Sequence, residues 1–282
     1  MADQLGFGER LVAAGREHGR LCVGIDPHDK LLAQWGLPAT ADGVRTFALT
    51  CVEAFAGAVA LVKPQVAFFE RFGSQGFAVL EETLAALREN GTLCLADAKR
   101  GDIGSTMAGY AAAWLSPGSP LEADAVTLTP YLGVGSLAPA VEVAEANGKG
   151  VFVMSANSNP EAEAFQSARL AGVRADGTEE LNPTVAQFMV DECAALNRDR
   201  AVGNVGVVVG ATVDTPPALD ALNAAVLMPG VGAQGATFAD ADRLGGQRTE
   251  LVFPSVSRSV LAHGPDAAEL RKHARDLASQ RG

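Results

Sequence analysis

Eight short apolar runs recur along the chain, and each gives way first to polar residues and then to helical spacing. The runs lie at 21–25, 58–62, 93–96, 123–128, 151–154, 206–209, 226–228 and 251–253. They are apolar throughout rather than alternating, which is the pattern of strands buried on both faces. Between them, apolar residues return every three or four positions, as at Phe77, Leu80, Leu84 and Leu87 before the stop at Asn90-Gly91. This spacing predicts helices over about 43–56, 74–89, 105–114, 134–146, 183–197, 216–222 and 266–279. Residues 161–179 have no strong period and read as a loop with a short helix. Eight strand–helix units in about 250 residues predict a closed (β/α)8 TIM barrel, an α/β fold. An open doubly wound sheet is the alternative. No linker or composition shift divides the chain, so residues 1–282 are expected to form a single domain.

Composition narrows the class. Hydrophobic residues make up 48% of the 282, enough for a large core. The formal net charge of −11 disfavours nucleic acid and anionic membranes as partners, although a local cluster of donors can still hold a small anion. Cys22, Cys51, Cys94 and Cys193 are dispersed and show no metal spacing, so buried thiols are expected. His18, His28, His263 and His273 show no metal spacing either. The first sixteen residues hold Asp3, Glu9 and Arg10 and no apolar signal core. No apolar run approaches the roughly 20 residues of a membrane helix. A soluble, cytoplasmic protein is expected.

The polar residues are placed where the fold would use them. Asp26, Lys63, Asp97 with Lys99, Ser158, Gln234 and Arg258 each lie at or just after the end of a predicted strand. In a barrel these ends meet on one face, where active sites are built. Taken singly, several have plain readings. Lys63 could be a solvated strand end, Asp26 before Pro27 a turn residue, and Ser158-Asn159-Pro160 ordinary turn chemistry. Asp97-x-Lys99-x-x-Asp102 is different. Asp97 and Lys99 point the same way from one apolar strand end, and such charges are costly to bury without a purpose. On the last two strands, Gly230, Gly232 and Gly235 free backbone N–H groups to approach an anion. Gln234 adds a donor, and Arg258 can clamp phosphate in bidentate fashion. The loops after strands seven and eight are the usual phosphate site of such barrels.

These residues carry a resemblance. The segments GIDPH at 24–28, VKPQVAFFE at 62–70, LADAKRGDIGST at 95–106, SNPE at 158–161, VGVVVGAT at 205–212 and PGVGAQG at 229–235 resemble orotidine 5′-phosphate decarboxylases of the bacterial, mycobacterial-type branch. The resemblance implies a TIM-barrel homodimer that uses no cofactor and no metal. It converts orotidine 5′-phosphate to uridine 5′-phosphate (UMP) and carbon dioxide, the last step of de novo pyrimidine synthesis. By the same resemblance Lys99 protonates C6, Asp97 lies against the substrate carboxylate, and Lys63 and Asp102 complete a charge network. Asp102 and Thr106 reach in from the partner subunit. Asp26 holds ribose hydroxyls, Ser158 reads the pyrimidine edge, and Gln234 and Arg258 hold the phosphate. Two positions depart from the broader pattern: Asn157 stands where Thr is usual, and Ser257 where many members have Gly. Two other readings stay open. One is a magnesium-dependent 3-keto-gulonate-phosphate decarboxylase with the same Asp-x-Lys-x-x-Asp pattern; the other is a non-catalytic nucleotide-binding barrel.

Overall fold

The computed structural model describes residues 5–171, 173–175, 179–232 and 235–280. Eight parallel strands form the barrel: β1 Cys22–Ile25, β2 Leu61–Pro64, β3 Leu95–Arg100, β4 Ala125–Leu128, β5 Gly150–Ala156, β6 Gly203–Val209, β7 Ala224–Pro229 and β8 Val252–Val256. Apart from β2 with β3, each pairs with its sequence neighbour, and β8 pairs with β1. The ring closes between β2 and β3 through two isolated parallel bridges, Val62 to Cys94 and Gln65 to Asp97. The sheet is therefore a barrel and not an open doubly wound sheet.

Each strand is apolar on both faces in its lower half, which explains the unbroken apolar runs. Inward-facing Cys22, Leu61, Leu95, Phe152, Leu227 and Phe253 form one buried cluster. Outward-facing Val23, Val62, Ala96, Val126 and Val207 pack with helix residues such as Phe47, Leu80 and Trp114 in a second. The floor is closed by α1 (Phe7–His18). Phe7 meets Phe152 edge-on, with ring centroids 5.9 Å apart. The Gly8 N–H donates to Asn204 Oδ1 at 3.0 Å, which fixes the helix to the start of β6. All four cysteines are buried and unpaired. Burial pushes the Cys22 and Cys193 thiols up to about 12.

The structure departs from the sequence reading in several places. Lys63, Asp97 and Lys99 lie within strands rather than after them, because the ladder continues where the inward positions turn polar. The short helix expected within 161–179 is present as Pro160–Gln166, but the loop expected after it holds the strand Val173–Ala175, antiparallel to Glu179–Leu181. Strands of three residues are too short to show a period. The helix expected at 216–222 is not formed. Pro217 follows Pro216, and the peptide of Ala218 is instead held by the Gln187 amide, which accepts from its N–H at 2.7 Å and donates to its carbonyl at 3.2 Å. Helices at Phe7–His18, Asp29–Gln34 and Phe238–Gly245 were not anticipated by the spacing.

Phe7 is 1% exposed and anchors the floor. Phe7→Ala is expected to lower the free energy of unfolding by about 3–5 kcal/mol. The denaturant midpoint should fall at an unchanged m-value, and a loss below about 1 kcal/mol would show that α1 does not hold the floor.

Candidate active site

The site begins with a fault in the ladder. Ala96 pairs with Val126, and the next partner pair is Arg100 with Leu128, so β3 advances four residues while β4 advances two. The bulge gathers Asp97, Ala98 and Lys99 at the mouth of the barrel. Lys99 lies at φ +50°, a left-handed conformation unusual for a residue with a side chain. Gly101 then leaves the strand against the Thr129 carbonyl, where a Cβ would come within 2.2 Å of the oxygen.

Asp97 is the hub. Its Oδ2 pairs with Lys63 Nζ at 2.9 Å and its Oδ1 with Lys99 Nζ at 2.6 Å. Thr127 Oγ1 donates to the same Oδ1 at 2.9 Å, and Lys99 Nζ also reaches Gln65 Oε1 at 3.5 Å. The Lys63 and Asp97 side chains are each 9% exposed, whereas that of Lys99 is 41% exposed. Burial opposes the charge on Asp97, but Lys63 and Lys99 outweigh it and hold the carboxyl well below the usual range. Burial likewise opposes the charge on Lys63, but Asp97 and Asp26 hold its ammonium above the usual lysine range. By linkage, the contribution of Asp97 is present above the ordinary carboxylate range and is lost as pH falls through its lowered value. That of Lys63 is present below the ordinary lysine range and is lost as pH rises through its raised value. The pair is therefore ionised across the whole neutral range.

These groups face a cleft of about 260 Å³ that also takes in Asp26, Asn157 and Arg258 over an apolar bed of Met154, Val208 and Leu227. Asp26 Oδ2 accepts from Ser257 Oγ. Its Oδ1 is buried and has no hydrogen-bond partner among the described residues. Gly24 makes this contact possible, since a Cβ there would lie 2.8 Å from Ser257 Cβ and 3.0 Å from Asp26 Oδ1. Arg258 is exposed at the rim of the cleft, which Gly230, at φ +106°, also lines. Asn157 is braced by Gln166, which accepts from its N–H at 2.7 Å and donates to its Oδ1 at 3.2 Å.

The structure thus gathers Asp26, Lys63, Asp97, Lys99 and Arg258 into one cleft. Ser158 lines a neighbouring pocket with Asn157, Asn159 and Thr212, against Gly210. Asp102 stands outside the cleft; its Oδ1 accepts from the Ile103 N–H at 2.8 Å, and it forms no ion pair with Lys63 or Lys99 among the described residues. Thr106 is exposed on the helix Gly104–Leu115. Gln234 lies outside the described residues. Thr127, Gln65 and the bond from Ser257 to Asp26 were not anticipated. Inward parity along β2 and β4 would have flagged the first two, since Gln65 is two positions past Lys63 and Thr127 two past Ala125. Among the described residues, no group of three or more His, Cys, Asp or Glu side chains could hold a metal ion. No described helix is long and apolar enough to cross a membrane.

Comparison with known proteins agrees with this geometry. Residues 19–273 match the model of the orotidine 5′-phosphate decarboxylase / HUMPS family. An orotidine 5′-phosphate decarboxylase of Corynebacterium efficiens is 57% identical over 278 residues, covering 97% of this chain and 96% of its own. One from Salinispora arenicola is 55% identical over 267 residues, covering 94% of this chain and 93% of its own. A crystal structure from Streptomyces avermitilis, assigned to the same activity, superposes with a TM-score of 0.91 at 49% identity, covering 98% of this chain and 95% of that one. With a closed barrel, a lysine–aspartate–lysine hub at its mouth and these relatives, the chain belongs to the orotidine 5′-phosphate decarboxylase / HUMPS family.

Proposed function

We infer that this protein decarboxylates orotidine 5′-phosphate to UMP and carbon dioxide in pyrimidine synthesis, with residues 1–282 acting as one decarboxylase domain. The observation that carries the reading is the Lys63–Asp97–Lys99 hub, built into the mouth of a barrel of this family. Loss of carbon dioxide leaves a carbanion at C6. An ammonium held in place beforehand stabilises that charge with little reorganisation. Lys99 supplies it and then the proton; Asp97 sits against the departing carboxylate and fixes both lysines. The unpartnered Oδ1 of Asp26 suits a ribose hydroxyl donor. Arg258 and Gln234 hold the phosphate, helped by backbone N–H groups of the loop at Gly230, Gly232 and Gly235, and Ser158 reads the pyrimidine edge. The chemistry calls for no metal or cofactor.

The working form in this reading is a cytoplasmic homodimer. Asp102 and Thr106 of one subunit complete the charge network of the other. This is supported by their position outside their own cleft, beside Ile103, which is 60% exposed. The negative net charge suits neither nucleic acid nor anionic membrane as a partner.

Purified, EDTA-treated protein is expected to consume orotidine 5′-phosphate, followed as loss of its ultraviolet absorbance. Activity that disappears on chelation and returns with magnesium would instead favour the keto-gulonate-phosphate reading, and tight UMP binding without turnover the nucleotide-binding one. Lys99→Ala should retain most UMP affinity while kcat falls by more than ~10⁴-fold; near-normal turnover would remove Lys99 as the acid. Lys99→Ala and Asp102→Asn subunits, each nearly inactive alone, should recover about a quarter of wild-type activity when unfolded together and refolded, because random pairing in a two-fold dimer leaves one intact site in half of the dimers. No recovery would overturn the shared site.

A further inference from the structure

We propose that Thr127 is a positioning residue for the decarboxylation, its single hydroxyl setting both the root of Lys99 and the orientation of Asp97. The proposal rests on the reading of Lys99 as the acid. In the bulge between β3 and β4 Lys99 has no register partner on β4, and Thr127 Oγ1 accepts from its N–H at 2.9 Å. The hydroxyl has one hydrogen, which goes to Asp97 Oδ1 at 2.9 Å. Asp97 Oδ1 in turn pairs with Lys99 Nζ at 2.6 Å. The circuit starts and ends on the same lysine: backbone N–H to hydroxyl, hydroxyl to carboxylate, carboxylate to ammonium.

Such a closed circuit is needed because Lys99 is hard to hold otherwise. Its side chain is long, flexible and 41% exposed, so placement must come from the backbone and from Asp97. Its backbone is at φ +50°, which persists only when the surroundings over-determine it. Thr127 is well suited to impose it. It is 1% exposed, and its branched Cβ restricts the side-chain torsion, so the oxygen has little freedom. Thr129 adds a weaker tether, donating from Oγ1 to the Lys99 carbonyl at 3.3 Å.

The alternative is that Thr127 merely fills space in the barrel, and an isosteric swap separates the two. Thr127→Val keeps the shape and branching and deletes the hydroxyl; Thr127→Ser keeps the hydroxyl. In the full-length enzyme, Thr127→Val is expected to lower kcat on orotidine 5′-phosphate by about 10- to 100-fold, the scale of a misplaced catalytic group. Its KM, and the Kd for UMP, should stay within about threefold of wild type. Thr127→Ser should hold kcat within about threefold. A valine enzyme with unchanged kcat, a loss expressed mainly in KM, or a serine enzyme as slow as the valine one would each overturn the proposal. Should the valine variant fail to fold, Thr127→Ala carries the same expectation against Thr127→Ser. If the wild-type protein turns over and only these expectations fail, the decarboxylase reading stands and the role of Thr127 falls; absence of wild-type turnover removes both.

Discussion

A carboxylate almost out of reach of water is stable only while positive charge stays beside it. Asp97 meets that condition with Lys63 on one oxygen and Lys99 on the other. Removing an ion from water costs several kcal/mol, and attraction offsets this only where geometry is good and remaining lone pairs are bonded. Much of the upper barrel serves that requirement. Strands β2 and β3 extend past their apolar halves to carry the partners, and β4 supplies a hydroxyl to the second lone pair of Oδ1. Below, the apolar cluster and α1 close the floor, so the charges meet solvent from the cleft side alone.

Asp26 presents the opposite case. One of its oxygens accepts from Ser257 and the other is buried with no partner among the described residues. Unsatisfied buried acceptors are uncommon in folded proteins, and their usual place is a functional site. The hub and Asp26 therefore divide the cleft into a part whose carboxylate has both oxygens partnered and a part that is one donor short. A ligand with hydroxyl donors and an anionic end fits that division.

The barrel was legible in the sequence because its lower half is apolar on both faces of every strand. The charged upper halves were not, since hydrophobicity stops marking a strand once its inward positions turn polar; Lys63 and Lys99 were read as strand ends for that reason. Those same charges were legible as chemistry, because Asp97 and Lys99 so close to an apolar run have few structural explanations. Thr127 was silent. A threonine in a strand is an ordinary β-former, and only the bulge in β3 brings its oxygen to the Lys99 N–H. The helix expected at 216–222 failed on tandem prolines, which spacing does not weigh. The contribution proposed for Asp102 and Thr106 is out of reach of both periodicity and a lone protomer, because the proposal invokes a second copy.

The ring closes between β2 and β3 through two isolated bridges, without the continuous pairing of β1 with β2 or of β4 with β5. Lys63 stands on one side of that seam and Asp97 on the other, so their ion pair spans the join. The residues proposed for chemistry are thus also a clasp. Many enzymes gain stability when active-site charges are neutralised, which leaves a drifting lineage free to exchange activity for robustness. Here the seam opposes that exchange: losing either charge alone leaves the other buried and uncompensated across the join, so neutralisation at this place carries a stability cost rather than a gain.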